Sequence, residues 1–110
     1  MRVLSGTKPT GDSLHLGNYF GALRQFVDLQ EQHSESLYFI ADYHALTTVR
    51  DADALRQDSY AITATFLACG LDPNEAVLWR QSDVPQVTEL SWILSCVTGF
   101  GLIERAHAFK

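Results

Sequence analysis

Leu37-Tyr38-Phe39-Ile40-Ala41, written LYFIA, is an unbroken apolar run carrying two aromatic rings. A strand with one wet face alternates apolar and polar residues, because successive side chains point to opposite sides of the sheet. A run without alternation predicts a strand covered on both faces, the habit of parallel sheets. Upstream, Tyr19, Phe20, Leu23, Phe26, Val27 and Leu29 form a helical stripe starting from Asn18, with Arg24, Gln25, Asp28 and Glu31 between them. That pattern predicts an amphipathic helix ending near His33-Ser34. Before it, Met1 to Ser5 reads as a short buried strand stopped at Ser5-Gly6, and Gly6, Pro9, Gly11 and Asp12 supply loop chemistry.

Downstream of LYFIA, Asp42 to Arg50 reads as a loop, and Asp51 or Asp53 as the cap of a helix through Leu55, Ile62, Phe66 and Cys69. Gly70 at the C′ position, with Pro73 just beyond, predicts a firm stop. Ala76 to Trp79 (AVLW) reads as a third strand and Gln81 to Pro85 as a loop. Val87, Leu90, Ile93, Leu94 and Val97 then predict a third helix, and a further segment runs from Leu102 to Phe109. Three strand-then-helix units in succession imply a parallel sheet with right-handed crossovers, hence an α/β, doubly wound domain.

The totals are compatible with one domain or a piece of a larger one: 110 residues, 46% hydrophobic. No stretch approaches the ~18 apolar residues of a membrane span, and Met1-Arg2 does not open a signal peptide, so a cytoplasmic location is expected. Thirteen acidic residues against eight basic ones leave a net charge of −5, a poor grip on nucleic acid by charge alone. Cys69 and Cys96 stand far apart without partners at metal-ligand spacing, so both are expected as buried thiols and no metal site is expected. Trp79 and Trp92 are expected in the core.

In parallel sheets ligands bind at the carboxyl ends of the strands. Three polar segments should meet there: Ser5 to Asn18, Asp42 to Thr48 and Gln81 to Pro85. In the first, a helix start offers unpaired backbone N–H groups and a positive dipole end, which suit an anionic phosphate. Gly17 admits close approach to the backbone, His15 and Asn18 can donate hydrogen bonds, and Lys8 adds a full charge. An alternative stands beside this one: Asn18 caps the helix and His15 is a surface residue. Neither a GxGxxG fingerprint nor a GxxxxGK[ST] loop is present, so a nicotinamide enzyme and a P-loop NTPase find no support. In the second segment Asp42 and His44 either line a polar pocket, His44 as a general acid or base, or Asp42 binds its own loop and His44 is exposed. QSDVP, Gln81 to Pro85, reads most simply as a cap and turn.

Together these segments resemble the opening of the class I aminoacyl-tRNA synthetases, the tryptophanyl-tRNA synthetase family in particular. VLSGTKPTGDSLHLGNYFGALRQFV is similar to that family's first strand, loop and HIGH-type signature, here His15-Leu16-Gly17-Asn18. YFIADYHALT, GLDPNEAVLWRQSDVP and SWILSCVTGFGLIERAHAFK resemble its later blocks in order. The likeness covers essentially the whole chain. It implies a Rossmann-like nucleotide-binding domain that is incomplete, residues 1–110 being the N-terminal part of an ATP- and amino-acid-binding catalytic domain. The C-terminal half and an anticodon-binding domain would lie outside it, together with a KMSKS-like loop and the acidic residue for the indole N–H.

The resemblance implies activation of L-tryptophan by ATP to tryptophanyl-adenylate, then transfer to tRNA(Trp). Mg²⁺ would accompany ATP through its phosphates, and the protein would be a homodimer, with Trp92, Val97, Phe100 and Ile103 as a candidate face. It assigns Lys8, Pro9, Thr10, His15, Gly17 and Asn18 to ATP, with Lys8, His15 and Asn18 acting in catalysis. Leu4, Gly6 and His44 go to the amino-acid pocket. Lys8 stands where many members carry glutamine, and Leu4 where many carry phenylalanine. Competing readings are a tyrosyl-type synthetase, an HxGH-type adenylyltransferase, and a non-catalytic nucleotide-binding paralogue.

Overall fold

The LYFIA run forms the middle strand of a three-stranded parallel sheet. In a computed structural model of the chain, which describes residues 2–9, 15–32 and 35–105, strand β1 spans Arg2–Thr7, β2 Glu35–Ile40 and β3 Ala76–Arg80, in the order β1-β2-β3. Leu4 pairs with Leu37 and Leu37 with Val77; Gly6 pairs with Phe39 and Phe39 with Trp79. The chain is therefore an α/β domain with a parallel sheet, as the alternation of patterns predicts.

The strand ends differ from expectation in ways that packing explains. Gly6 does not stop β1. It stays in the ladder because the Phe39 ring lies over it: a Cβ there would sit 2.4 Å from Phe39 Cζ. The second strand begins at Glu35, earlier than the apolar run, where an Arg2–Glu35 ion pair of 2.7 Å joins the first rung.

Between β1 and β2 the chain is helical from Leu16 to Gln32, in three parts: α1 Leu16–Asn18, a π-turn Tyr19–Leu23 and α2 Arg24–Gln32. The Arg24 N–H reaches back to the Tyr19 carbonyl, the wider i→i−5 bond that defines a π-turn. The stripe survives the insertion, since Leu23, Phe26 and Gln30 are buried. The expected end at His33-Ser34 lies outside the described residues.

Past β2, the segment expected as a loop contains a helical turn, α3 Asp42–Ala45. The long helix α4 spans Ala52–Ala68. Of the two candidate caps Asp51 is the one used: its Oδ1 accepts the N–H of Asp53 at 2.8 Å and of Ala54 at 3.0 Å. These bonds hold the Asp51 carboxyl below its ordinary pKa. Helix α4 stops as predicted, with Gly70 at φ +105°. The Gly70 N–H donates to the Leu67 carbonyl and the Leu71 N–H to that of Phe66, the paired bonds of a Schellman end. A 3₁₀ turn, Gln81–Asp83, follows β3; then come α5, Gln86–Val97, and α6, Phe100–Ile103. The expected segment to Phe109 is described only as far as Arg105.

Helices α2 and α4 pack on one face of the sheet. Phe26 stacks on Tyr38 (4.4 Å, 16°) and meets Phe66 edge-on (5.9 Å, 82°), while the Tyr38 hydroxyl donates to the Phe26 carbonyl at 3.0 Å. Each such buried ring contributes on the order of 2 kcal/mol by removal from water. Ile40, Ile62, Leu71 and Ala76 complete this core. Gln30 locks it laterally: its Nε2 donates to the Gly70 carbonyl and its Oε1 accepts the Asp72 N–H, both at 2.9 Å.

The other face, expected to be covered as well, is open where Leu4 is 61% exposed and Val77 is 55% exposed. Only half of the doubly wound arrangement is built by the described residues, because two right-handed crossovers in the same direction put both helices on one side. The same incompleteness overturns two core assignments: Trp92 is 73% exposed and Cys96 is exposed. Cys69 is half-buried where it packs against the core, and Trp79 is half-buried against Phe39 at 5.2 Å.

Candidate active site

In doubly wound sheets ligands sit at the carboxyl ends of the strands. The described strands run in the order β1-β2-β3, which leaves β1 at an edge of the sheet. Lys8 and Pro9 follow β1 directly, Pro9 being fully buried. The Thr7 carbonyl accepts the Ala41 N–H at 2.9 Å, so the ends of β1 and β2 are tied together.

The helix start that follows β1 in the chain is built by His15 to Asn18. His15 is the N-cap residue, in extended conformation (φ −96°, ψ 167°), and its carbonyl accepts from Asn18 N at 2.9 Å and Tyr19 N at 3.2 Å. No side chain caps the helix. The cap reading of Asn18 therefore fails, because Asn18 already sits inside the first turn. Its Oδ1 is buried with no hydrogen-bond partner among the described residues, which is costly unless something else supplies a donor. Gly17 has a packing reason as well: a Cβ there would lie 3.0 Å from both Cε1 and Nδ1 of His15. The imidazole thus lies over the glycine backbone at an exposed helix start.

Lys8 is held from the second segment. Its Nζ donates to Thr48 Oγ1 at 2.7 Å, and that hydroxyl donates in turn to the Ala45 carbonyl at 3.3 Å. Thr10, the remaining residue of the expected ATP loop, lies outside the described residues.

Asp42 is buried and engaged. Its Oδ1 accepts the N–H groups of Tyr43 and Ser82, each at 3.0 Å, and its Oδ2 accepts the Ser82 hydroxyl. It fastens the end of β2 to the turn after β3 and has little capacity left for a ligand. His44 is exposed, and its carbonyl accepts the Thr47 hydroxyl at 2.8 Å. Leu4 and Gly6 share the open face of β1, where the Phe39 ring covers Gly6.

QSDVP is more than a turn. The Arg80 guanidinium and N–H both bond Asp83, with Nη2–Oδ1 at 2.6 Å and N–Oδ2 at 2.9 Å. The pairing raises the Arg80 pKa and holds the Asp83 carboxyl below its ordinary value. Gln81 Oε1 is also buried without a partner among the described residues. Thr48, Ser82 and Phe39 are the residues that sequence reasoning did not single out, each placed by a contact between distant segments. A separate cavity of about 320 Å³ lies between α4 and the end of β3, lined by Asp42, Arg56, Tyr60 and Arg80 among others. Of the residues singled out from the sequence it includes Asp42, but not His44 and none of Lys8, Pro9, His15, Gly17 or Asn18. Among them no group of three or more His, Cys, Asp or Glu side chains could hold a metal ion.

A family model described as tRNA synthetases class I (W and Y) matches residues 1–110. The chain belongs to that family. Among other class I tRNA synthetases of the W and Y group, a tryptophan–tRNA ligase of Rhodopirellula baltica is 58% identical over the whole chain, which covers 34% of that protein. A crystal structure of tryptophanyl-tRNA synthetase from Campylobacter jejuni matches with a TM-score of 0.87 and 54% identity, over 99% of this chain and 34% of that one. A second Campylobacter jejuni structure, complexed with ADP and tryptophan, matches with TM-score 0.87 and 55% identity over 97% of this chain and 33% of that one. The chain spans about a third of the length of the relatives it matches. The parallel sheet and its helices correspond to the N-terminal, Rossmann-like part of those synthetases. No described helix is long and apolar enough to cross a membrane.

Proposed function

We propose that the chain is the N-terminal ATP- and amino-acid-binding part of a tryptophan–tRNA ligase. The observation that carries this reading is the match of nearly the whole backbone to a synthetase complexed with ADP and tryptophan. His15, Gly17 and Asn18 stand at the start of the helix that follows β1. In this reading the Leu16 and Gly17 N–H groups, the His15 imidazole and the Lys8 ammonium receive the phosphates. The unpartnered Asn18 Oδ1 accepts a donor from the nucleoside, and Pro9 and Thr10 continue the contact loop. Leu4, Gly6 and His44 border the tryptophan side chain.

The reaction is attack of the tryptophan carboxylate on the α-phosphate of ATP, forming the mixed anhydride and releasing pyrophosphate. The aminoacyl group then passes to tRNA(Trp), bound mostly by regions outside these residues. The chain's own contribution is alignment and charge stabilisation. ATP enters as its Mg²⁺ complex, the ion held by phosphate oxygens and water. A cytoplasmic homodimer belongs to the same proposal, with the exposed apolar residues of α5 and α6 as its candidate face.

Tryptophan-dependent ATP–pyrophosphate exchange by the full-length protein tests the reading. His15→Ala should lower kcat/KM about a hundredfold while leaving the thermal midpoint in place. Exchange with tyrosine instead of tryptophan, or no exchange at all, would refute it.

A further inference from the structure

The Lys8–Thr48 bond joins two segments forty residues apart in sequence, the end of β1 and the turn after α3. Lys8 is the only lysine among the described residues. Arg2, Arg24, Arg56 and Arg80 each lie against a carboxylate, whereas Arg105 bonds the Gly101 carbonyl. Lys8 lies against a neutral hydroxyl, and among the described residues no carboxylate pairs with it. The Thr48 hydrogen is committed to the Ala45 carbonyl, so the lone pairs of Oγ1 are what face the ammonium. The hydrogen bond thus orders the side chain without setting a carboxylate against it.

Holding it matters because a lysine side chain carries some of the largest rotamer entropy of any residue. A free lysine must give up that freedom when it meets a ligand; one already tethered gives up less, and binds more tightly for that reason. A carboxylate tether would order the side chain equally well but would cancel its charge. In a chain of net charge −5 that cancellation would leave a polyanion facing a predominantly acidic protein. A hydroxyl orders without neutralising, and the two remaining ammonium protons stay available.

We propose that Thr48 is a positioning residue for ATP, presenting the Lys8 ammonium to the phosphates. The inference rests on the ATP-binding reading of the site after β1. It adds a residue from the α3–α4 connection to a site otherwise built from β1 and the helix after it.

The test is ATP–pyrophosphate exchange by the full-length protein. Thr48→Val keeps the shape and removes the acceptor; it should raise the KM for ATP about fivefold to tenfold, with the KM for the amino acid and the thermal midpoint unchanged. Thr48→Ser, which keeps the hydroxyl, should restore the unaltered KM. In a Lys8→Gln background, Thr48→Val should add no further change, since the two act as one unit. An unchanged KM for ATP in Thr48→Val would overturn the proposal, as would equal loss in Thr48→Ser or full additivity with Lys8→Gln. Parallel increases in both KM values with a lowered thermal midpoint would mark a structural tie and also overturn it. Absence of exchange in the unaltered protein would instead refute the ATP reading, and the proposal with it.

Discussion

Two glycines carry opposite constraints at the residue scale. Gly6 is required by a neighbour, since a Cβ would enter the Phe39 ring. Gly17 is crowded only by the His15 imidazole, an exposed group that can swing away. Alanine at Gly17 lies in a helical turn, where it is intrinsically preferred over glycine by up to about 1 kcal/mol. Gly17→Ala should therefore leave the thermal midpoint unchanged or raised, yet weaken ATP binding several-fold by displacing His15. Calorimetric titration beside thermal melts checks both halves; tight ATP binding in the variant would disprove the role given to the ring. Asp83 gives a pH signature. Arg80 holds its carboxyl below the ordinary value of 3.8, so the contribution of the pair is complete above that pH. It is lost as pH falls through the lower, folded value. Asp83→Asn should flatten this acid limb, with a cost below about 1 kcal/mol at neutral pH because the pair is half exposed. Acid titrations of stability for the two proteins provide the comparison.

At the scale of elements, the junction between α4 and β3 is the best defined by sequence. Gly70 closes α4 and was legible because capping is local chemistry; at the opening the sequence offered Asp51 and Asp53, and the structure uses Asp51. At Gly70 an added Cβ would meet nothing nearer than Val27 Cγ1 at 3.6 Å, so space is not the constraint; φ of +105° is. Gly70→Ala should cost about 1–2 kcal/mol, read as a lower urea midpoint at unchanged slope. A midpoint equal to that of the unaltered protein would contradict the Schellman geometry. The π-turn at Tyr19–Leu23 was not legible, since its apolar stripe reads equally well as continuous α-helix. Nor was α3, where four residues, Asp42–Ala45, are too few for a periodicity.

For the molecule as a whole, the radius of gyration of 15.4 Å exceeds the roughly 13 Å expected of a compact domain of this length. The excess accords with an open sheet face and with α5, whose Leu90, Trp92, Ile93 and Val97 are all more than half exposed. Contiguous apolar surface of this kind drives association. The 110-residue chain on its own should sediment as more than a monomer and bind a hydrophobic dye. Val97→Lys, at a position 78% exposed, should shift it toward monomer without lowering its thermal midpoint. A monomeric, dye-silent chain would mean that these faces find cover within the chain itself.

The three strand-then-helix units, the parallel sheet and the stop of α4 at Gly70 were determined by sequence alone. Each depends on periodicity, capping or spacing, which act over a few residues, whereas His15-Leu16-Gly17-Asn18 was legible only by its resemblance to a family. Tertiary structure alone decided which faces are covered and which side chains meet: Phe39 over Gly6, Ser82 on Asp42, Thr48 on Lys8. LYFIA is apolar on both sides, but its pattern cannot say whether a covering layer is present. Contacts between residues forty positions apart depend on how the crossovers wind, and that geometry leaves no local mark in the chain.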